Sequence, residues 1–233
     1  MENILAINDK IKSLVWGRPM IILLFGTGVI LFIMTKGIVI RKLGYILKNT
    51  FLKMFEKDNG KEGDLTPFQA VSTALAATVG TGNIVGVSMA IATGGPGAVF
   101  RLWLSAFFGM STKYSEVTLA IAYREKHPDT GAYVGGPMYY LKNGLGAKFL
   151  GGLFALFAGL AAFGIGNLTQ SNSIAVSMET TFGLDPKITG IFLVILAGSV
   201  IFGGIKRIGE ITAKLVPFMA LFYILSSLAI IFS

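Results

Sequence analysis

The chain has 233 residues, of which 53% are hydrophobic and 14% charged, and its formal net charge is +8. Soluble domains carry about 25% charged residues, so this composition excludes an ordinary soluble domain. These residues include no cysteine, which excludes disulfides and thiolate metal sites within them. The lysines and arginines form no basic face with interleaved aromatic residues, so nucleic-acid binding is not expected.

Six apolar segments follow one another along the chain, each long enough for a helix to cross a lipid bilayer. The segments are continuously apolar rather than alternating, which favours helices over strands. The second begins at Thr66-Pro67, a capping residue followed by a first-turn proline, and ends at Gly94-Gly95. The six predicted helices cover about 16–38, 66–95, 96–123, 148–178, 187–203 and 212–232. The sequence therefore predicts an all-α polytopic membrane protein.

Basic residues set the expected orientation. Fourteen of the twenty Lys and Arg residues fall in the predicted loops 1–2, 3–4 and 5–6, and five fall on the opposite side. Because Lys and Arg collect in cytoplasmic loops, this bias predicts an extracellular N-terminus. Residues 1–65 are expected to form a peripheral helix and a basic cytoplasmic linker. The basic residues of that linker are Lys36, Arg41, Lys42, Lys48, Lys53, Lys57 and Lys61.

The second predicted helix contains the stretch "ATVGTGNIVG" at 77–86, where three glycines fall within seven residues. Each glycine costs about 1 kcal/mol relative to alanine in a helix. An opened helix frees backbone groups, which survive in a membrane only when buried in protein or lining a wet cavity. Freed carbonyls can hold a cation, and freed amides can hold a carboxylate. The alternative is close helix packing through the Gly82/Gly86 pair, although packing does not require the neighbouring Thr78, Thr81 and Asn83.

The fourth predicted helix carries a polar run, "GNLTQSNS" at 166–173. Asn167 and Gln170 are three residues apart, so their amide groups are expected to share a helix face. These amides are candidates for hydrogen bonds to a substrate, or for ordinary bonds between helices.

Charged residues inside the third predicted helix have two interpretations. Lys113 and Glu116 are three residues apart, and we favour a structural ion pair over a proton relay. The chain shows no Ser/His/Asp set, paired inward carboxylates or HExxH motif, so an enzyme is not expected.

Three stretches carry a family resemblance: "TALAATVGTGNIVGVSMAIATGGPGAVF", "MSTKYSEVTLAIAYREK" and "VGGPMYYLKNGLG". With them, residues from about 66 to 232 resemble the alanine/glycine:cation symporter family. That family is similar to transporters of the leucine-transporter fold, which have two inverted five-helix repeats that each open with a broken helix. The resemblance implies that residues 66–233 form the first repeat.

The resemblance also implies roles for individual residues. Sodium, the coupling ion, would be bound by the backbone carbonyls of Ala76 and Val79, and no other cofactor is expected. The carboxylate of alanine or glycine would meet three backbone amides, with polar side chains as neighbours. The substrate-binding residues expected in this way are Thr78, Gly80, Thr81, Gly82, Asn83, Asn167 and Gln170.

Sodium-coupled uptake of alanine or glycine across the plasma membrane by alternating access is therefore the function expected. Family members are about twice as long, so the chain is expected to be half of the transporter, lacking its C-terminal repeat and transporting nothing alone. The main alternative is a membrane subunit or sensor that binds a ligand without moving it. A channel is disfavoured because no ring of charges or carbonyl filter is evident.

Overall fold

The computed structural model describes residues 2–51 and 65–233, which are almost entirely helical. The one sheet in this described part is a two-stranded antiparallel hairpin of β1 (Glu125–Lys126) and β2 (Tyr133–Val134). The structure thus agrees with an all-α membrane protein. The predicted linker residues Lys53, Lys57 and Lys61 lie outside the described residues.

The N-terminal part is more helical than predicted. The first predicted helix, at about 16–38, corresponds to a 17-residue apolar helix. Helices also precede and follow it, and in the preceding one Ile7, Ile11 and Leu14 recur at helical spacing. The basic linker is helical as far as the structure describes it. The four N-terminal helices are α1 (Glu2–Val15), α2 (Arg18–Met34), α3 (Ile38–Arg41) and α4 (Leu43–Phe51).

The second predicted helix is broken, as its glycines suggested. It begins with α5 (Pro67–Thr78), where Thr66 and Gln69 form a reciprocal capping box. After the break come a π-helical segment, π1 (Gly82–Gly86), and α6 (Val87–Gly94). The helices on the two sides of the break are bent by 57°.

A 26-residue helix, α7 (Gly97–Ala122), follows. The hairpin and α8 (Pro137–Asn143) come after it and are held together by side-chain hydrogen bonds. They are joined through Glu125, whose carboxylate accepts hydrogen bonds from Asn143 at 2.8 Å and Lys142 at 3.3 Å. The hydrogen bond from Asn143, followed by the charge of Lys142, lowers the pKa of Glu125. Helix α8 ends at its C-cap residue, Gly144.

The fourth predicted helix is a continuous span, Lys148–Phe182, with a π-helical middle. The sixth predicted helix starts eight residues earlier than expected, so the basic residues Lys206 and Arg207 lie in its first turn rather than in a loop. The turn before it is completed at Gly204, whose φ of +68° suits glycine. The remaining elements are α9 (Lys148–Ala161), π2 (Ala162–Leu168), α10 (Thr169–Phe182), α11 (Pro186–Ile201) and α12 (Gly204–Phe232).

Length and composition identify the candidate membrane spans. Three helices in the described part are long and apolar enough to cross a bilayer: Leu5–Met34, Lys148–Phe182 and Gly204–Phe232. The bent pair of α5 and π1–α6 makes a fourth when it is counted as one span. The 26-residue α7 carries charges, and α11 has only 16 residues. The six predicted segments are therefore present as helices, but not all of them are long and uniformly apolar.

Two helix contacts organise the packing. Helix α2 lies against α7 through aromatic rings, with Phe25 and Phe108 edge to face at 5.2 Å between ring centres. Helix α5 lies against α12, where the Thr73 and Thr212 hydroxyls are 3.0 Å apart. Gly209 lets α12 approach closely, because a Cβ there would lie 2.5 Å from the Leu65 side chain. The first half of the broken helix is therefore fixed to α12.

This contact can be tested by crosslinking, because the chain contains no cysteine. The test variant carries Thr73→Cys, Thr212→Cys and a protease site after Thr130. Because the native hydroxyls are 3.0 Å apart, mild oxidation should form a disulfide that still joins the two fragments after proteolysis. The readout is fragment mobility on a denaturing gel. A Thr73→Cys/Thr180→Cys variant is the control, because Thr180 lies on α10 and is exposed. Equal joining in both variants would contradict the packing.

Candidate functional site

The candidate site is the break between α5 and π1. Helical bonding stops at Thr78, and Val79 takes an extended conformation with φ −86° and ψ 103°. The chain then turns back into a helical course at Thr81. The hypothesis that the glycines serve only to pack an unbroken helix is therefore wrong.

The break leaves several backbone groups without partners. In the part of the chain that the structure describes, the carbonyls of Ala76 and Val79 accept no hydrogen bond. The N–H groups of Gly80 and Gly82 likewise have no acceptor among the described residues. Acceptors from the end of α5 thus lie beside donors from the start of π1. Such a set can bind a cation and an anion in one place.

Two polar side chains form hydrogen bonds to the backbone beside the break. The Asn83 Nδ2 donates to the Thr78 carbonyl at 3.1 Å, while the Asn83 backbone N–H donates to the Gly80 carbonyl at 3.0 Å. The Thr78 hydroxyl donates to the Ala74 carbonyl at 2.7 Å. Asn83 therefore connects the two sides of the break, while the Thr78 hydroxyl bonds within α5, and both residues are exposed.

Gln170 reaches the break from α10. Its Oε1 accepts hydrogen bonds from the Thr81 N–H at 3.1 Å and from the Thr81 hydroxyl at 2.9 Å. A Cβ on Gly80 would lie 2.6 Å from the Gln170 Nε2. The structure thus brings together two stretches that are 89 positions apart in the sequence, around three half-buried residues.

Asn167 does not join this contact. Its side chain is exposed and makes no hydrogen bond among the described residues. The prediction that Asn167 and Gln170 share a face assumed α-helical spacing, but Asn167 lies in π2, where i→i+5 bonding changes the angle between side chains. The structure therefore places Gln170, and not Asn167, against the break.

Sequence reasoning missed both π-helical segments. Each contains a Gly-Asn pair, Gly82-Asn83 in π1 and Gly166-Asn167 in π2, and this repetition was an available signal. Segments of π-helix in α-helices are frequently found at functional sites.

Lys113 and Glu116 form an ion pair of 3.0 Å on α7, as their spacing predicted. They line a groove of about 550 Å³ between α2 and α7, together with Arg101 and apolar side chains. None of the predicted site residues lines this groove. We place the site at the break because the unpaired backbone groups lie there.

Comparison with known proteins agrees with the sequence resemblance. The family model described as "Sodium:alanine symporter family" matches residues 1–233. The chain belongs to this family. The family is one of transporters, which confirms that the chain is not an enzyme.

Curated relatives cover most of the chain. The sodium/alanine symporter AgcS of Methanococcus maripaludis is 51% identical over 96% of the chain and 49% of its own length. A putative sodium/proton-dependent alanine carrier of Bacillus subtilis is 45% identical over 95% of the chain and 44% of its own length. A probable sodium/glutamine symporter of the same species is 36% identical over 100% of the chain and 47% of its own length. The chain thus spans about half the length of the curated relatives it matches.

The two central glycines of this symporter-family break should respond differently to substitution. Gly80→Ala places a Cβ against Gln170 and should release the Thr81 amide, at a cost of about 1 kcal/mol for the hydrogen bond lost. Gly82→Ala is the matched control, because a Cβ there meets nothing within 4 Å. Hydrogen exchange at Thr81 should be faster in the first variant only. Equal exchange in the two variants would show that the hydrogen bond between Gln170 and Thr81 does not require glycine at position 80.

Proposed function

We propose that the protein carrying this chain is a sodium-coupled symporter for a small neutral amino acid, alanine or glycine. The broken helix supports this function most directly, because it combines unpaired carbonyls and unpaired amides within seven residues, Ala76 to Gly82. An amino acid and a sodium ion together need both kinds of group. Family membership and the names of the relatives support sodium coupling and amino-acid transport.

In this proposal, sodium lies against the carbonyls of Ala76 and Val79. The substrate carboxylate meets the amides of Gly80, Thr81 and Gly82. These contacts act at the negative end of α5 and the positive end of π1–α6, so the partial charges of both half-helices favour the bound pair. The remaining substrate-binding residues of the proposal are Thr78, Asn83 and Asn167, and Gln170 lies at the carboxylate position.

The architecture proposed for the complete transporter has two inverted repeats. In this proposal the first repeat, residues 66–233, consists of the broken helix followed by α7, the span α9–α10, α11 and α12. A second repeat outside these residues would complete the site. The proposed location is the plasma membrane, with the N-terminus outside, since most basic residues lie in the three segments that the sequence assigns to the cytoplasmic side.

The break and the relatives support different parts of the substrate proposal. Backbone donors recognise a carboxylate but do not read a side chain, so the contacts described here suit any α-amino acid that fits. Alanine is favoured because two relatives are named for it, while another is named for glutamine.

Uptake by liposomes containing the complete natural protein tests this proposal. With an inward sodium gradient, labelled alanine should accumulate, and replacing sodium with potassium should lower uptake to that of empty liposomes. Excess glycine should compete with alanine, and excess glutamine should compete weakly. Equal uptake with and without sodium would contradict the coupling, and binding without uptake would favour the sensor alternative.

A further inference from the structure

The contact between Gln170 and Thr81 has the form of a bound ligand. Two donors of one residue, the Thr81 N–H and its hydroxyl, converge on a single oxygen, the Gln170 Oε1, at 3.1 and 2.9 Å. Backbone N–H groups at the start of a helix commonly hold an oxygen of a carboxylate or phosphate in this way. Here the oxygen belongs to a carboxamide from another helix of the same chain.

Access to this position depends on Gly80. The Gln170 Nε2 lies so close to the Gly80 backbone that a Cβ there would be 2.6 Å away. The carboxamide therefore lies directly over the backbone at the break, where a ligand of the freed amides would also lie.

This arrangement conflicts with simultaneous binding of a substrate carboxylate. The Thr81 N–H has one hydrogen, and its hydroxyl has one, and both are already donated to Gln170. A carboxylate can reach Thr81 only after Gln170 has left it. Within the described part of the chain, the Gly80 and Gly82 amides stay unpaired, so an incoming carboxylate has a first contact before the exchange occurs.

We propose that Gln170 is a displaceable internal ligand of the empty site. It fills the carboxylate position of the empty site and leaves Thr81 when an amino acid binds; this inference rests on the proposed function. Hydrogen bonds to an ionised acceptor are about twice as strong as those to a neutral one. A carboxylate therefore gains by replacing the carboxamide, whereas a ligand with a neutral oxygen gains nothing.

Ligand binding to Gln170→Ala tests this role. The complete natural protein and the variant are titrated with alanine and with alaninamide, which lacks the carboxylate, in saturating sodium. Without the competitor, the variant should bind alanine about three- to tenfold more tightly, which corresponds to one net hydrogen bond. Alaninamide meets the same competitor, so its affinity should rise by a similar factor.

Two further variants separate competition from a structural role. Gln170→Glu places a carboxylate on Thr81 and should weaken alanine binding, the opposite direction from Gln170→Ala. Ser177→Ala is the control: it lies two turns further along α10, where its exposed hydroxyl bonds only to the Ser173 carbonyl, and it should leave both affinities unchanged. Weaker alanine binding in a folded Gln170→Ala variant would overturn the proposal.

Hydrogen exchange at Thr81 without any ligand distinguishes failure of this inference from failure of the proposed function. Exchange should be faster in Gln170→Ala than in the natural protein. If the natural protein binds no alanine, the proposed function fails, but faster exchange in the variant still supports an internal ligand at Thr81. Unchanged exchange would overturn the inference whatever the binding result.

Discussion

The need to satisfy backbone hydrogen bonds within a membrane governs this structure. Water is absent from the bilayer core, so a helix there forms all its own bonds, and each group left unpaired costs several kcal/mol. The chain nevertheless gives up helical bonding at Val79 and extends the backbone. Asn83 and Gln170 recover part of this loss with side-chain amides, and the groups that stay unpaired among the described residues include those that we propose for the ion and the substrate.

The two halves of the broken helix belong to different packing units. Helix α5 contacts α12 through the Thr73–Thr212 hydroxyl pair and the close approach at Gly209, whereas α6 contacts α7. The break therefore lies between two pairs of packed helices, α5 with α12 and α6 with α7. The hydrogen bonds of Gln170 also connect the break to α10. A ligand that replaced Gln170 on Thr81 would remove these hydrogen bonds between α10 and the break.

Local sequence signals predicted the elements that depend on local chemistry. Thr66-Pro67 marked the start of α5, and the glycines at 80 and 82 marked the break, because capping and glycine conformation act over a few residues. The π-helical segments and the early start of α12 were not predicted, since helical periodicity cannot distinguish bonding patterns or a short glycine turn. The pairing of Thr81 with Gln170 joins positions 89 apart, so the sequence could suggest it only through family resemblance.

The central claim is that the backbone at residues 76–82 binds both the ion and the amino acid. A structure of the complete protein in lipid with sodium and alanine bound tests it most directly. The account predicts the alanine carboxylate within about 3 Å of the Gly80, Thr81 and Gly82 amides, and sodium at the Ala76 and Val79 carbonyls. Alanine or sodium bound away from these backbone groups would contradict it.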